Sequence, residues 1–205
     1  NTKDSLLKLL KRLAVSNERL EFCYEAGPCG YEIYRYLKER GVSCVVVAPS
    51  LVPVKAGDRV KTDKRDAKKL ARLLRSGELT PVWVPDEEQE ALRDLVRSRE
   101  DALEDLLRKK HQLSKFLLRN GKRHPVGMKA WTVRHRQWMD ALKFEDPAQQ
   151  FVFQDYIHAL DVAEARLKRL TEALEEMSCK SEHAPVIAAL RALKGVEHLT
   201  AVTLV

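Results

Sequence analysis

Leu20-Glu21-Phe22-Cys23-Tyr24-Glu25-Ala26-Gly27-Pro28 is the stretch on which the fold turns. Apolar and aromatic residues run through it and a Gly-Pro pair stops it. That is the pattern of a short strand with Glu25 at its C-terminal end. Tyr31 to Arg40 then reads as a helix stopped by Gly41, and Cys44-Val45-Val46-Val47 as a fully buried strand. Strand, helix, strand in that order predicts parallel pairing through a crossover.

The pattern extends in both directions. Leu6, Leu7, Leu9, Leu10 and Leu13 recur at helical spacing, which predicts an amphipathic helix over residues 4–14. The prolines and Gly57 between Pro49 and Val60 predict a loop, followed by a helix from Asp63 to Arg75 that ends at Gly77. Val82-Trp83-Val84 reads as a third strand. The fold class expected for residues 1–85 is therefore α/β.

After Pro85 the composition changes. Residues 86–120 lack Pro and Gly and carry Leu92, Val96, Leu103, Leu106, Leu113 and Leu117 on three- and four-residue steps, with Arg99 and Lys110 on the same line. Tyr156, Leu160, Ala163, Leu167, Leu170, Leu174 and Met177 keep a strict alternation of four and three. Such spacing predicts an antiparallel coiled-coil hairpin over 86–185, or alternatively two bundle helices packed on the first domain. Residues 186–205 read as the start of a further domain.

The chain has 205 residues, a net charge of +7 and 33% charged residues, which favours an acidic partner and long solvated helices. Cys23, Cys29, Cys44 and Cys179 form no CxxC pair and no zinc spacing, so Cys23 and Cys44 read as small buried hydrophobes in a reduced, cytoplasmic protein. No apolar run approaches a membrane span, and the N-terminus lacks a signal-peptide core. A start without Met and an apolar last run, Ala201 to Val205, suggest a fragment cut at both ends.

Lys61-Thr62-Asp63-Lys64-Arg65-Asp66-Ala67 places two carboxylates one helical turn apart. From Lys55 to Arg75 nine Lys/Arg stand against three Asp. At roughly 5–6 Å, Asp63 and Asp66 would repel by about 3 kcal/mol at an effective dielectric near 20. A hard divalent cation such as Mg²⁺ reverses that penalty. The same pair also suits a capping box, with Asp63 at the N-cap and Asp66 its partner. Glu25 favours the metal reading, because ligands bind at the carboxyl ends of strands in open α/β sheets. Lys61, Lys64, Arg65, Lys68 and Lys69 bracket the pair and would hold phosphates, or else form a solvated face. A second basic region, Arg119 to Arg136, adds Lys122, Arg123, His124, Lys129, Arg134 and His135 with Trp131 and Trp138 interleaved, a combination suited to single-stranded or structured RNA; alternatively Trp138 plugs the hairpin's end.

Three segments carry a family resemblance: Cys23 to Tyr31, Val46-Val47-Ala48-Pro49-Ser50 and Lys61 to Ala67. They are continued by Gly77-Glu78-Leu79, Val82 to Pro85 and Leu92 to Arg97. Together they resemble the DEDD-type insertion-sequence transposases, whose N-terminal domain is RuvC-like with an RNase-H fold. The resemblance implies that Glu25, Asp63 and Asp66 are three of four carboxylates that bind Mg²⁺. It also implies DNA strand cleavage and exchange, a guide RNA, self-association through the coiled coil, and a cytoplasmic, nucleoid-associated setting. In this family the first Asp stands on an earlier strand and a C-terminal serine joins the DNA, and neither has a counterpart here. Leu193 to Ala201 resembles the family's helix-hairpin-helix turn, but Glu197 replaces its second glycine and would oppose a phosphate. The rival readings are a metal-dependent nuclease of the Holliday-junction-resolvase type and a non-catalytic nucleic-acid-binding or assembly module.

Overall fold

A computed structural model describes residues 2–13, 19–53 and 62–205. The chain divides into two compact units, Asn1–Val84 and Pro85–Val205.

In the first unit, β1 (Glu21–Glu25) and β2 (Ser43–Val47) pair in parallel, with Glu21 opposite Ser43 and Glu25 opposite Val47. The crossover is α2 (Glu32–Lys38). Alternating side chains divide the two faces of the pair. Phe22 and Cys44 pack with Leu37 and with Leu10 of α1 (Lys3–Leu13), while Cys23, Val45 and Val47 pack with Leu70 of α3 (Asp63–Ser76). The two-stranded sheet thus lies between helices, the α/β arrangement expected. Cys23 and Cys44 are half-buried free thiols. Burial raises both pKa values, that of Cys44 to about 11.

Gly77 ends α3 at φ 72°, where the next two amides close back on Leu74 and Leu73. A Cβ would strain that left-handed cap.

The expected third strand, Val82-Trp83-Val84, does not form. The segment meets the sheet at one antiparallel bridge, Val47 with Pro81, and the Val82 N–H donates to the Val46 carbonyl at 2.8 Å. Pro81 has no N–H to extend a ladder and Pro85 follows at once, so pairing stops there. Trp83 is left 62% exposed. Of the expected loop 49–60, Pro49–Leu51 is a short 3₁₀ turn, and residues 54–60 lie outside the described residues.

The second unit is built on α4 (Glu87–Arg119) and α6 (Pro147–Lys180). Asp86 and Gln89 close a capping box at the start of α4: the Gln89 N–H donates to the Asp86 carboxylate at 2.7 Å, and the Asp86 N–H to the Gln89 side chain at 3.1 Å. The helices run antiparallel. Arg99 donates to Thr171 at 3.1 Å, Arg166 pairs with Asp105 at 2.8 Å, and Lys110 lies 3.9 Å from Glu164. The polar residues on the α4 line therefore meet polar partners across the pair.

The stripe that α6 buries departs from the strict heptad. Leu160, Ala163, Leu167, Thr171, Leu174 and Ser178 face inward, while Met177 is 56% exposed. Those positions follow the roughly 3.6-residue period of a straight helix rather than 3.5.

Between the long helices lies α5 (Val133–Asp140), whose Arg136 forks onto Asp161 of α6 and pairs with Asp140 at 2.9 Å. Phe116, Met139, Phe144 and Phe153 form the core at this end. At the other end α7 (Ala184–Arg191) and α8 (His198–Leu204) pack Ile187, Ala201 and Val202 on Val96 and Leu174. Residues 186–205 thus lie within the second compact unit. The turn before α8 passes through Gly195 at φ 87°, and Glu197 precedes the helix without a side-chain cap bond.

His135 is 4% exposed and its Nδ1 has no hydrogen-bond partner. Burial first, and the neighbouring His124 second, hold its pKa below the ordinary 6.5. Because the unfolded chain binds the proton more readily, stability is expected to fall as pH drops below about 6.5. His135→Phe should flatten that dependence. Urea titrations at pH 7.5 and 5.0 measure both effects.

Candidate metal and nucleic-acid site

Thr62 is the N-cap of α3, its hydroxyl accepting from the Arg65 N–H at 3.4 Å. Asp63 is therefore the first helical residue rather than the cap, and the capping-box alternative is replaced by a cap one residue earlier. Both carboxylates in the first turn still favour the helix dipole. Among the described residues the side chains of Glu25, Asp63 and Asp66 have no hydrogen-bond or ion-pair partner.

Parallel pairing and the docking of α3 on one sheet face bring the three together. Glu25, Asp63 and Asp66 line one open groove of about 430 Å³, floored by Ala67, Leu70 and Leu74 of α3. Glu25 and Asp63 are exposed and Asp66 is half-buried. Glu21 borders the same groove and is paired with Arg19 at 3.6 Å. The two-residue period of the strand places Glu21 on the same face as Glu25, and that was the signal by which the sequence would have found it.

The donors are hard carboxylate oxygens, which suit Mg²⁺ or Ca²⁺ and do not suit a thiophilic metal. Among the described residues no three or more acid, His or Cys side chains converge as a metal-holding group. The groove therefore offers separate anchors. Mg²⁺ commonly takes one or two carboxylates and completes its shell with water and phosphate, so the donor chemistry fits that ion.

Lys64, Arg65 and Lys68 are exposed on α3 and Lys69 is half-buried. None of the four forms an ion pair among the described residues. Cations held in no ion pair are available to a polyanion. Lys61 lies outside the described residues.

A parallel strand pair ending in an acid, flanked by a D-x-x-D helix start with a basic face, defines an α/β domain with a carboxylate groove beside a cationic helix. A family model described as Transposase, the IS110-type DEDD group, matches residues 1–120. The chain belongs to this family of insertion-sequence transposases. It is 45% identical over 196 residues to a putative transposase, y4qE, of Sinorhizobium fredii, covering 96% of this chain and 47% of that protein. It is 40% identical over 198 residues to the transposase for insertion sequence element IS1533 of Leptospira borgpetersenii, covering 96% of this chain and 57% of that protein. The chain thus spans about half the length of these curated relatives. No described helix is long and apolar enough to cross a membrane.

Proposed function

We propose that this chain supplies the RuvC-like metal domain and the helical hairpin of a transposase that cleaves and exchanges DNA strands. The observation that carries the proposal is the shared groove of Glu25, Asp63 and Asp66, three carboxylates from two elements that have no protein partner among the described residues. Bound Mg²⁺ would polarise a phosphodiester and stabilise the charge that develops on it. Glu25 and one of the Asp63–Asp66 pair would hold the ion through one or two carboxylates and intervening water, while Lys64, Arg65, Lys68 and Lys69 would hold the flanking phosphates. The expected Lys61 belongs to the same basic run. A guide RNA enters this reading through the family resemblance. Self-association through a coiled coil is supported by an apolar line that α4 leaves exposed, with Leu103 37%, Leu107 49% and Leu118 49% accessible.

Binding of Mn²⁺ as a spectroscopic substitute tests the metal site directly on this chain. Electron paramagnetic resonance titration is expected to show one bound ion that is lost in Glu25→Gln and in the double variant Asp63→Asn/Asp66→Asn. A signal unchanged by both would remove the metal reading. It would favour a non-catalytic nucleic-acid-binding module, a reading that the lack of a converged three-ligand group among the described residues also supports.

A further inference from the structure

The loop that closes the helical hairpin, together with α5, holds three features that packing alone does not require. Trp131 is the one non-glycine residue among those described with a positive φ, 63°. For a bulky side chain that conformation is strained, and strain of this kind collects at functional positions. Next to it, His135 keeps a buried Nδ1 with no hydrogen-bond partner, an orphan in either tautomer. Third, Arg123, Lys129 and Arg134 are exposed and have no ion-pair partner among the described residues.

Three aromatic rings stand around the His135 ring. Trp131 lies 5.4 Å from the His135 ring at 62°, and Trp138 lies 5.4 Å from it on another side. His124, which is exposed, stands edge-on to His135 at 5.1 Å and to Trp138 at 6.0 Å. The Lys110 ammonium sits 5.3 Å from the Trp131 ring centre. Trp131 and Trp138 rest on the hairpin core with part of their surface uncovered. A planar ligand that takes the place of the exposed His124 ring would meet the Trp138 and His135 rings.

We propose that this hairpin tip binds an unpaired base of a single-stranded nucleic acid. Trp131 supplies the stacking surface, His135 Nδ1 the contact to the base edge, and Arg123, Lys129 and Arg134 the contacts to neighbouring phosphates. Aromatic faces accept any base, cations track the backbone, and a base edge offers both donors and acceptors to an imidazole nitrogen. The site is separate from the carboxylate groove and does not rest on the metal reading. Single-stranded RNA and single-stranded DNA share the required chemistry.

The test is fluorescence anisotropy with labelled oligomers of about 12 nucleotides, a length within the site sizes of such proteins. RNA, single-stranded DNA and duplex DNA of one sequence are compared on the full chain. Single strands are expected to bind in preference to duplex. Trp131→Gly, which removes the ring and accepts the positive φ, should weaken single-strand binding roughly tenfold. Lys129→Glu/Arg134→Glu should lower the salt dependence by about 0.7 per lost phosphate contact. His135→Phe keeps an aromatic ring at that position and should level the preference among single-stranded A, C and U homo-oligomers titrated as a second set. Tighter binding of RNA assigns the tip to RNA, and equal binding assigns it to single strands of either kind. The proposal is overturned if Trp131→Gly and the charge-reversal variant, both folded by circular dichroism, bind within twofold of the unaltered chain. Preference for duplex, or no binding at all, overturns it equally.

Discussion

Asp63→Asn in a complete transposase carrying this segment is expected to lower strand exchange by roughly 10²–10³-fold, the usual cost of losing one preorganised electrostatic contact. The substitution keeps the shape of the side chain and removes only its charge. Asp63 is exposed and does not cap α3, because Thr62 fills that role. Folding is therefore expected to survive, and thermal stability should stay nearly level, the relieved repulsion from Asp66 offsetting the lost interaction with the helix dipole. Glu25→Gln should behave alike, since Glu25 lines the same groove from the end of β1. Recombination of a paired donor and target plasmid, with expression and melting temperature measured alongside, separates a lost site from a lost fold. Exchange within threefold of normal in both variants would place the chemistry elsewhere.

Leu113→Ala is expected to destabilise the second unit by about 3–4 kcal/mol. Leu113 is fully buried in the cluster with Phe116, Phe153 and Leu160, and the cavity left there has rigid aromatic walls. Two long antiparallel helices enclose only a thin core, so one missing layer loosens the hairpin end. Leu107→Ala is the control at concentrations where the chain is monomeric: that side chain is 49% exposed on the same helix and should then change stability by about 0.5 kcal/mol or less. Chemical denaturation followed by helical circular dichroism distinguishes the two. Similar costs for both at higher concentrations would mean that the Leu107 face is covered in solution, as self-association through α4 requires.

Much of the first unit was legible from local pattern. An apolar run closed by Gly27-Pro28, a helix stopped by Gly41 and a valine-rich run are strand and helix signals that need no distant partner. The parallel pairing followed from their order. The third strand was misread because Val82-Trp83-Val84 has strand composition, while the outcome was set by Pro81 and Pro85, which remove ladder hydrogen bonds. The long helices were equally legible, yet the buried stripe of α6 was displaced at its C-terminal end. There α8 packs against the pair and His198 hydrogen-bonds Ser178 at 2.8 Å, so the smaller polar residue is buried and Met177 turns outward.

The candidate site divides in the same way. Sequence by itself determined its chemistry: two acids one turn apart, a third at a strand end, and an excess of cations around the pair. Those are properties of residue type and spacing. Only the tertiary structure decided that Glu25 and Glu21 share a groove with Asp63 and Asp66. This depends on which sheet face α3 covers. That face is set by the burial of Leu70 against Cys23, Val45 and Val47, a contact between segments far apart in the chain that no local pattern encodes.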